Sequence, residues 1–374
     1  MENYITPDSF MYAMAFALGA CVLSFAWAPI LTNFLYKYKI IKGAKFELAG
    51  MQHADIKANT PVMGGLLVIV SVALITLIFN WDRSFTWVPI GVMLLAAILG
   101  GVDDLLNVYG IERRSRKISQ IMKLIRIHKE WKMRLWYILT LPWNIFKRMS
   151  VWIGSRSSSG VQVHEKLILQ FAAGAIAAWW IYSKLGPAWH NIYVPFYGDI
   201  VLGWLIIPLI ILVVMFTANA VNIADGMDGL AGGMLIPTFG ALAFLSWIGG
   251  FNEMAFLNAT AMGSLIAYTY FNIKPARFHM GDVGSLGLGA LLAINALVIG
   301  HMVTLVFIAF MFYIEAGSVI IQLFGKAFLG KRIFRMAPIH HHFEIIGWSE
   351  EKTIMRFWIV HLFFVIVGIW AGLH

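Results

Sequence analysis

The chain has 374 residues, of which 60% are hydrophobic and only 13% are charged, and it carries a formal net charge of +9 at pH 7. A soluble domain of this length carries about 25% charged residues, roughly twice this fraction. The composition and the mean hydropathy of +0.77 therefore exclude a water-soluble globular protein and predict an integral membrane protein.

The apolar residues fall into blocks of about 20 residues, the length of helix that crosses a bilayer. The first block is too long for the core of a cleaved signal peptide, so it is predicted to stay as a span. The sole cysteine, Cys21, lies inside it, which excludes an internal disulfide. The ten predicted spans are 10–36, 61–80, 86–102, 167–183, 200–217, 230–248, 254–273, 286–300, 303–325 and 357–372.

Basic residues are distributed unequally between the loops on the two sides. Of the 28 Lys and Arg residues, 26 lie in loops on one side, and only Arg83 and Lys184 lie on the other. Basic loops stay in the cytoplasm, so both termini are predicted to be external. Because the positive charge follows the membrane boundary, it does not indicate nucleic-acid binding. The prediction is one all-α domain, residues 1–374, with ten transmembrane helices and a cytoplasm-facing cleft.

The one long connection contains an insertion at 113–160. It mixes Lys and Arg with Trp and Leu, a composition typical of helices that lie in the headgroup layer. A membrane-hugging loop without catalytic function is the alternative interpretation. The short external segment 184–199 is predicted to be a turn or a small hairpin.

Four polar segments, called the motif segments below, are predicted to face the cytoplasm at a similar depth. Because loops at one membrane face can meet, they are predicted to form one site. The motif segments are Asp103-Asp104, residues 222–229 (NIADGMDG), residues 272–285 (ending in GDVGS) and residues 337–344 (APIHHHFE).

Aspartates are the first chemical signal in the motif segments. Clustered carboxylates repel one another near a low-dielectric layer unless a cation neutralises them. Mg²⁺ suits them, because it binds one or two carboxylates together with substrate phosphates. Adjacent glycines open helices whose N-termini favour phosphate groups. Helix capping by each aspartate alone is the alternative. The five aspartates are Asp103, Asp104, Asp225, Asp228 and Asp282.

Histidines are the second signal. Three consecutive histidines, His340, His341 and His342, cannot all face one way on a helix or a strand. A zinc site is disfavoured because the spaced pattern HExxH is absent. One or two of the histidines are predicted to hydrogen-bond a phosphate or a metal-bound ligand, and polar surface histidines are the alternative.

Taken together, the motif segments resemble those of the phospho-N-acetylmuramoyl-pentapeptide transferases, and the APIHHHFE stretch is highly specific. The resemblance extends from about Lys37 to the C-terminus, without the insertion. It implies that phospho-MurNAc-pentapeptide passes from its UDP carrier to undecaprenyl phosphate in the bacterial inner membrane. This reaction releases UMP, leaves lipid I and requires Mg²⁺.

By matched position, the resemblance also implies roles for individual residues. Asp282 is the implied Mg²⁺ ligand, with Asp225 as a second predicted ligand. Asp103 and Asp104 form the implied pair near the lipid phosphate, with Asp103 the candidate base. His341 is implied to be a catalytic residue that also contacts the nucleotide or the sugar. The predicted substrate-binding residues are Lys57, Asn222, Asp225, Asp228, Asn272, His279, Gln322, His340 and His342.

Three positions depart from the family pattern. Asn107 stands where the family usually has a Lys, so one phosphate-facing cation is missing unless Lys117 or Lys166 replaces it. Val62 removes a hydroxyl group, and His279 stands where the family usually offers a Phe that stacks on uracil. These departures leave nucleotide affinity and antibiotic sensitivity open.

Two other functions remain as alternatives. A UDP-GlcNAc:polyprenyl-phosphate GlcNAc-1-phosphate transferase shares the reaction class, but the APIHHHFE stretch argues against it. A transporter would carry several acids at mid-membrane, where Glu315 is the exception and is interpreted as a buried hydrogen-bond partner. Membrane lipids are implied as surroundings, and a homodimer is left open.

Overall fold

The chain is described by a computed structural model. The residues described are 7–41, 60–82, 84–109, 118–127, 130–137, 139–140 and 163–374. In them the backbone is almost entirely helical, as expected where backbone polar groups must be satisfied inside a bilayer. The named helices are α1 Pro7–Lys37, α2 Leu66–Phe79, α3 Trp87–Val108, α4 Ile118–Ile127, α5 Val163–Trp180, α6 Ile206–Ala224, α7 Leu230–Ile248, α8 Asn252–Asn272, α9 Gly281–Val298, α10 Met302–Ile308, α11 Phe310–Phe328, α12 Ile339–Ile345 and α13 Glu350–Gly372.

Each of the ten predicted spans contains a helix, and the all-α polytopic membrane class is confirmed. Among the described residues, seven helices are long and apolar enough to cross a membrane. The second predicted span is helical over only 14 residues, Leu66–Phe79, and the ninth is divided at Ala309 between α10 and α11. The count of ten and the side of the termini stay predictions. The seven are α1, α3, α6, α7, α9, α11 and α13.

Two connecting segments were also predicted. Within the insertion, α4 is helical, while its placement in the headgroup layer stays a prediction; residues 113–117, 128–129, 138 and 141–160 lie outside the described residues. The segment that is predicted to be external contains an antiparallel hairpin of β1 Asn191–Val194 and β2 Gly198–Val201, which confirms the small hairpin.

At three helix ends that carry motif residues, the helix extends beyond the predicted span boundary. Helix α3 continues through Asp103, α6 continues through Asn222, and α9 already begins at Gly281, before Asp282. A hydropathy boundary falls at the first polar side chain, whereas helical hydrogen bonding is made by the backbone and continues past it. Key motif residues therefore lie on rigid helices rather than in loops.

Helix α9 is the centre of the bundle, and every residue from Val283 to Val298 is buried. Small residues let neighbouring helices approach it closely. A Cβ atom at Gly289 would lie 2.7 Å from Ala218 Cα of α6, and one at Gly100 of α3 would collide with the backbone of Asp282. Helices α3 and α6 are therefore held against the start and the middle of α9.

Helix α1 packs against α8 in the same way, which gives a test of the fold. Gly263→Val is expected to lower the thermal unfolding midpoint, because a side chain at residue 263 collides with the Ala17 carbonyl group of α1. Overpacking of this kind costs about 1–3 kcal/mol. The measurement is thermal unfolding of the purified protein in detergent.

The matched control is Gly19→Val on α1, where no atom lies within 4 Å of an added Cβ. A substitution at such a surface position changes stability by about 0.5 kcal/mol or less. If both variants unfolded at the temperature of the unsubstituted protein, the close contact of α1 with α8 would be wrong.

Candidate active site

Two carboxylates and one ammonium group from three helices meet at the end of the bundle that carries the motif segments. Lys166 Nζ of α5 lies 2.6 Å from Asp103 Oδ2 of α3 and 2.5 Å from Asp282 Oδ2 of α9. The side chains of Asp103 and Asp282 are 3% and 14% exposed, and that of Lys166 is 26% exposed. We call these three residues the carboxylate–lysine cluster.

Two amide side chains complete the surroundings of the cluster. Asn222 Nδ2 donates hydrogen bonds to Asp282 Oδ1 (3.0 Å) and to Ser285 Oγ (2.8 Å). Asn107 Nδ2 donates to Asp103 Oδ2 (3.1 Å). Asn107 thus contacts the carboxylate with a neutral donor, and Lys166 supplies the ammonium group that the family pattern led us to seek.

Asp104 fixes the start of α9. Its Oδ2 accepts a hydrogen bond from the backbone N–H of Val283 (3.1 Å), and its carboxylate lies against Gly281, whose φ is +73°. A carboxylate on the first turn of a helix satisfies backbone N–H groups that have no intrahelical partner and interacts favourably with the helix dipole. Asp104 therefore positions Asp282 through the backbone.

The segment 60–65 docks on the turn before α9. The Gly64 and Gly65 N–H groups donate to the carbonyl oxygens of His279 (2.8 Å) and Met280 (2.9 Å), and the His279 N–H donates to Pro61 O (2.8 Å). A Cβ atom at Gly64 would collide with the Phe278 ring. The glycine allows this close approach, which sets the backbone at His279.

Asp228, His279 and Asn272 form a second group. His279 Nδ1 lies 3.2 Å from Asp228 Oδ1, and the His279 side chain is 25% exposed. The Asn272 amide is fully engaged, since its Oδ1 accepts from Gly229 N and its Nδ2 donates to Phe278 O, both at 2.9 Å. Asn272 therefore holds two motif segments together.

Lys274 connects the same loop to α13. Its Nζ lies 3.2 Å from Glu350 Oε2 and 2.6 Å from Glu351 Oε1. Partial burial of Lys274 disfavours its charge, but the hydrogen bonds that its ammonium group donates to Glu351 and Glu350 outweigh this effect and raise its pKa. The loop that carries His279 is thus fixed at both ends.

The three histidines contact three different partners, as their consecutive positions predict. Buried His340 places Nδ1 2.9 Å from Glu315 Oε2, and its ring lies against Gly226. His341 Nδ1 lies 3.0 Å from Glu344 Oε2. His342 Nδ1 accepts a hydrogen bond from the backbone N–H of Arg335. The interpretation of Glu315 as a buried hydrogen-bond partner is confirmed.

Gln322 of α11 is bound to the chain itself. Its Oε1 accepts from the N–H groups of Ile333 (3.0 Å) and Phe334 (2.9 Å), and its Nε2 donates to Phe334 O (2.9 Å). In this structure Gln322 holds the segment that leads to the histidines rather than offering its amide to a ligand.

The predicted convergence of the four motif segments is thus observed in the side-chain contacts. Asp104 joins the first segment to the third, Asn222 joins the second to the third, and His340 joins the fourth to the second at Gly226. Asp225 directly follows Ala224, the last residue of α6, and lies three residues after Asn222. Lys57 lies outside the described residues.

The cluster fits a magnesium ion better than a metal held by protein ligands alone. Within the described residues, no three His, Cys, Asp or Glu side chains are grouped to hold a metal ion. Asp103 and Asp282 nevertheless converge on one cation, Lys166 Nζ. One or two carboxylates with substrate phosphates are the usual protein environment of Mg²⁺.

Sequence reasoning did not include Lys166 or Ser285 among the predicted site residues. Lys166 was considered only as one replacement for the missing lysine, because its distance from Asp282, 116 residues away, is set by helix packing. The sequence did offer one signal. Lys166 is a single lysine directly before a predicted span, four residues before the polar Gln170. Ser285 had a signal too, as the last residue of the GDVGS stretch.

Comparisons with known proteins agree with this site. Residues 158–301 match the model of glycosyl transferase family 4. Relatives named phospho-N-acetylmuramoyl-pentapeptide-transferase align over nearly the whole chain. The protein from Shouchella clausii is 32% identical, with 95% of this chain and 97% of the relative covered. That from Levilactobacillus brevis is 31% identical (95% and 96% covered), and that from Chloroflexus aurantiacus is 32% identical (96% and 88% covered).

The matched region of the family model contains Lys166, Asn222 and Asp282, and the relatives' alignments span 95–96% of the chain. Identity above 30% over this length, together with the convergence of the predicted motif segments, leads to one assignment. The chain belongs to the phospho-N-acetylmuramoyl-pentapeptide transferase family.

Proposed function

We propose that the chain transfers phospho-MurNAc-pentapeptide from its UDP carrier to undecaprenyl phosphate, which yields lipid I and UMP. The observation that carries the proposal is the meeting of Asp103, Lys166 and Asp282 from three helices. Family membership supplies the substrates, since the relatives bear the name of this transferase. The same names do not favour a GlcNAc-1-phosphate transferase.

The reaction is a phosphoryl transfer in which positioning and charge neutralisation dominate catalysis. An oxygen atom of the lipid phosphate attacks the sugar-bearing phosphorus, and the bond from that phosphorus to the bridging oxygen breaks as UMP leaves. Asp103 takes a proton from the attacking phosphate. Lys166 stabilises the negative charge that accumulates on the phosphate oxygens.

We propose Mg²⁺ as the cofactor, held by Asp282 with Asp225 as the second ligand. When bound, the ion would neutralise charge on the diphosphate and on the departing UMP. Asn222 orients Asp282 through a hydrogen bond to Oδ1. Lys166 lies on the other oxygen of the same carboxylate, so it shares Asp282 with the ion.

The nucleotide and sugar side is proposed to lie along the second group of residues. The His279 side chain is 25% exposed and contacts the Asp228 carboxylate, which is 7% exposed, so this pair suits contact with the base. His341, 14% exposed, is proposed to contact the diphosphate side. Asn272, Gln322 and His342 support these contacts through hydrogen bonds to the backbone, and His340 supports them through its contact with the Glu315 side chain.

We further propose ten spans in the bacterial inner membrane, external termini and a cleft open to the cytoplasm. The soluble UDP substrate would then enter from the cytoplasm and the lipid phosphate from the bilayer. A transporter is the weaker alternative, because Asp103, Asp104 and Asp282 lie together at one end of the bundle. Lys57 is proposed to contact the nucleotide. The proposal is compatible with a homodimer.

Turnover provides the first test. The unsubstituted chain is expected to release UMP from UDP-MurNAc-pentapeptide when a polyprenyl phosphate is present, and Asp282→Asn is expected to lose at least about 10³-fold in kcat. Losing the carboxylate removes the charge that holds both the metal ion and Lys166. UMP release with purified protein at fixed Mg²⁺ is the measurement.

Asp199→Asn is the matched control, because Asp199 is an exposed aspartate on the external hairpin. It is expected to keep full turnover. Near-normal turnover of Asp282→Asn would make the metal assignment wrong, whereas a chain inactive with this substrate but active with UDP-GlcNAc would overturn the proposed function.

Nucleotide binding provides a second test at His279. His279→Phe is expected to bind UMP more tightly by roughly 0.5–1.5 kcal/mol, the contribution of an aromatic pair beyond area burial. A phenyl ring offers uracil a larger face than imidazole does. Isothermal titration calorimetry with UMP is the measurement.

His279→Gln is the control, because an amide can still donate to Asp228 Oδ1 but has no ring. It is expected to bind UMP more weakly than the unsubstituted protein. Equal affinities for Phe, Gln and His at residue 279 would show that this side chain points away from the base.

Orientation provides a third test, made in a Cys21→Ala background that removes the native thiol. Tyr197→Cys on the external hairpin is expected to react with a membrane-impermeant maleimide in intact cells, since Tyr197 is 79% exposed. Lys331→Cys, exposed at the opposite end, is expected to react only after permeabilisation. The reverse pattern would invert the proposed topology.

A further inference from the structure

A pair of amides, one buried and one half-buried, joins α5 to α6 beside the carboxylate–lysine cluster. Asn219 Nδ2 donates to Gln170 Oε1 (2.7 Å), and Gln170 Nε2 donates to Asn219 Oδ1 (3.3 Å). Gln170 is 4% exposed. The two side chains thus bond each other reciprocally, and Asn219 Nδ2 is anchored further on Met215 O (2.7 Å).

The spacing relates this amide pair directly to the cluster. Lys166 and Gln170 are four residues apart on α5, and Asn219 and Asn222 are three apart on α6, so each couple shares one helix face. The amide pair therefore lies about one turn, roughly 5.4 Å, from Lys166 and Asn222 along both helices. Those two residues bind the two oxygens of Asp282.

We propose that the Gln170–Asn219 pair is a positioning device for Lys166. By fixing the rotation and the register of α5 against α6, it holds the Lys166 backbone where the ammonium group reaches Asp103 and Asp282 together. Neither residue is among the proposed substrate contacts. The inference rests on the proposed function, because its effect is measured on that reaction.

Lysine needs such a device more than most residues. Its ammonium group is a compact charge on a flexible four-carbon stem, so the stem alone defines its position poorly. At residue 174 a glycine brings α5 close to α6, since a Cβ atom there would lie 3.1 Å from Ile211 Cα. That contact sets the separation of the helices, whereas the directional amide bonds set their rotation.

The positioning role of the amide pair differs in size from its contribution to stability. An interhelical hydrogen bond in a membrane contributes about 0.6 kcal/mol on average, too little to decide whether the chain folds. Displacing a reacting group by about 1 Å, in contrast, costs about 10²-fold in rate. Loss of the amide pair should therefore lower turnover far more than it lowers stability.

The first variant is Gln170→Met, which keeps the length of the side chain and removes its donor and acceptor. We expect kcat for UMP release to fall about 10- to 100-fold, while KM for the UDP substrate stays within about twofold, because uniform binding is not altered. Thermal unfolding is measured in parallel.

Asn295→Leu is the matched control. It removes another buried amide contact between helices, from Asn295 Nδ2 to Asn258 Oδ1 (2.7 Å), but thirteen residues after Asp282 on α9, about 20 Å away. We expect a similar shift in unfolding temperature and an unchanged kcat. An equal loss of kcat in both variants would overturn the inference.

Exchange of the two amides tests the contact itself. Gln170→Asn leaves the pair one methylene short and Asn219→Gln makes it one methylene long, so each alone is expected to lower kcat. The double exchange keeps the combined length and is expected to restore kcat to within about threefold of the unsubstituted protein. Failure of the double exchange to recover any activity lost by the single variants would overturn the inference.

A double-mutant cycle with Lys166→Met tests the pathway. If Gln170 acts through Lys166, then Gln170→Met is expected to cause no further loss of kcat once the ammonium group is gone, because effects transmitted through one group do not add. A full repeated loss in that background would show a general effect on the fold and would overturn the inference. Inactivity of the unsubstituted chain would instead overturn the proposed function.

Discussion

The site depends on one electrostatic contact, that of the Lys166 ammonium group with the carboxylates of Asp103 and Asp282. Two carboxylates this close to a low-dielectric layer repel each other unless a cation lies between them. Each of the three groups comes from a different helix, so the electrostatic requirement is also a packing requirement. The close approach of α3 to α9 at Gly100 brings the carboxylates together, and the contact of α5 with α6 brings the cation.

Much of the polar chemistry around this contact serves the backbone. Asp104 holds the first turn of α9, Asn272 joins two motif segments, and Gln322 anchors the chain before the histidines. Phosphoryl transfer is catalysed mainly by groups already in position when charge develops, because such groups need no reorganisation during the reaction. A frame of short side-chain-to-backbone hydrogen bonds provides that rigidity. The conspicuous polar residues of the sequence are thus divided between a small reacting cluster and a larger frame.

Hydropathy predicted a helix at every span, because it is a local property of the sequence. The convergence of the motif segments was also predictable, since Asp103, Asn222 and Asp282 all end up at one boundary. The contribution of Lys166 was not predictable as a contact, because only packing brings it to a residue 116 positions away. Nor could the sequence separate the frame from the cluster. It does not show that Asn272 binds a backbone carbonyl group whereas Asp228 contacts the His279 side chain.

Asn107, which stands where the family usually has a lysine, changes which contacts set the position of the ammonium group at the site. A lysine there would lie four residues after Asp103 on the same helix, so helix geometry alone would set its distance from that carboxylate. Asn107 contributes only a neutral hydrogen bond to Asp103. Among the described residues, the ammonium group in contact with both carboxylates comes from α5, and its position follows from how α5 packs on α3 and α6. The geometry of the proposed active site is therefore coupled to helix–helix contacts inside the membrane, where the small energies of single hydrogen bonds act on the placement of the Lys166 charge.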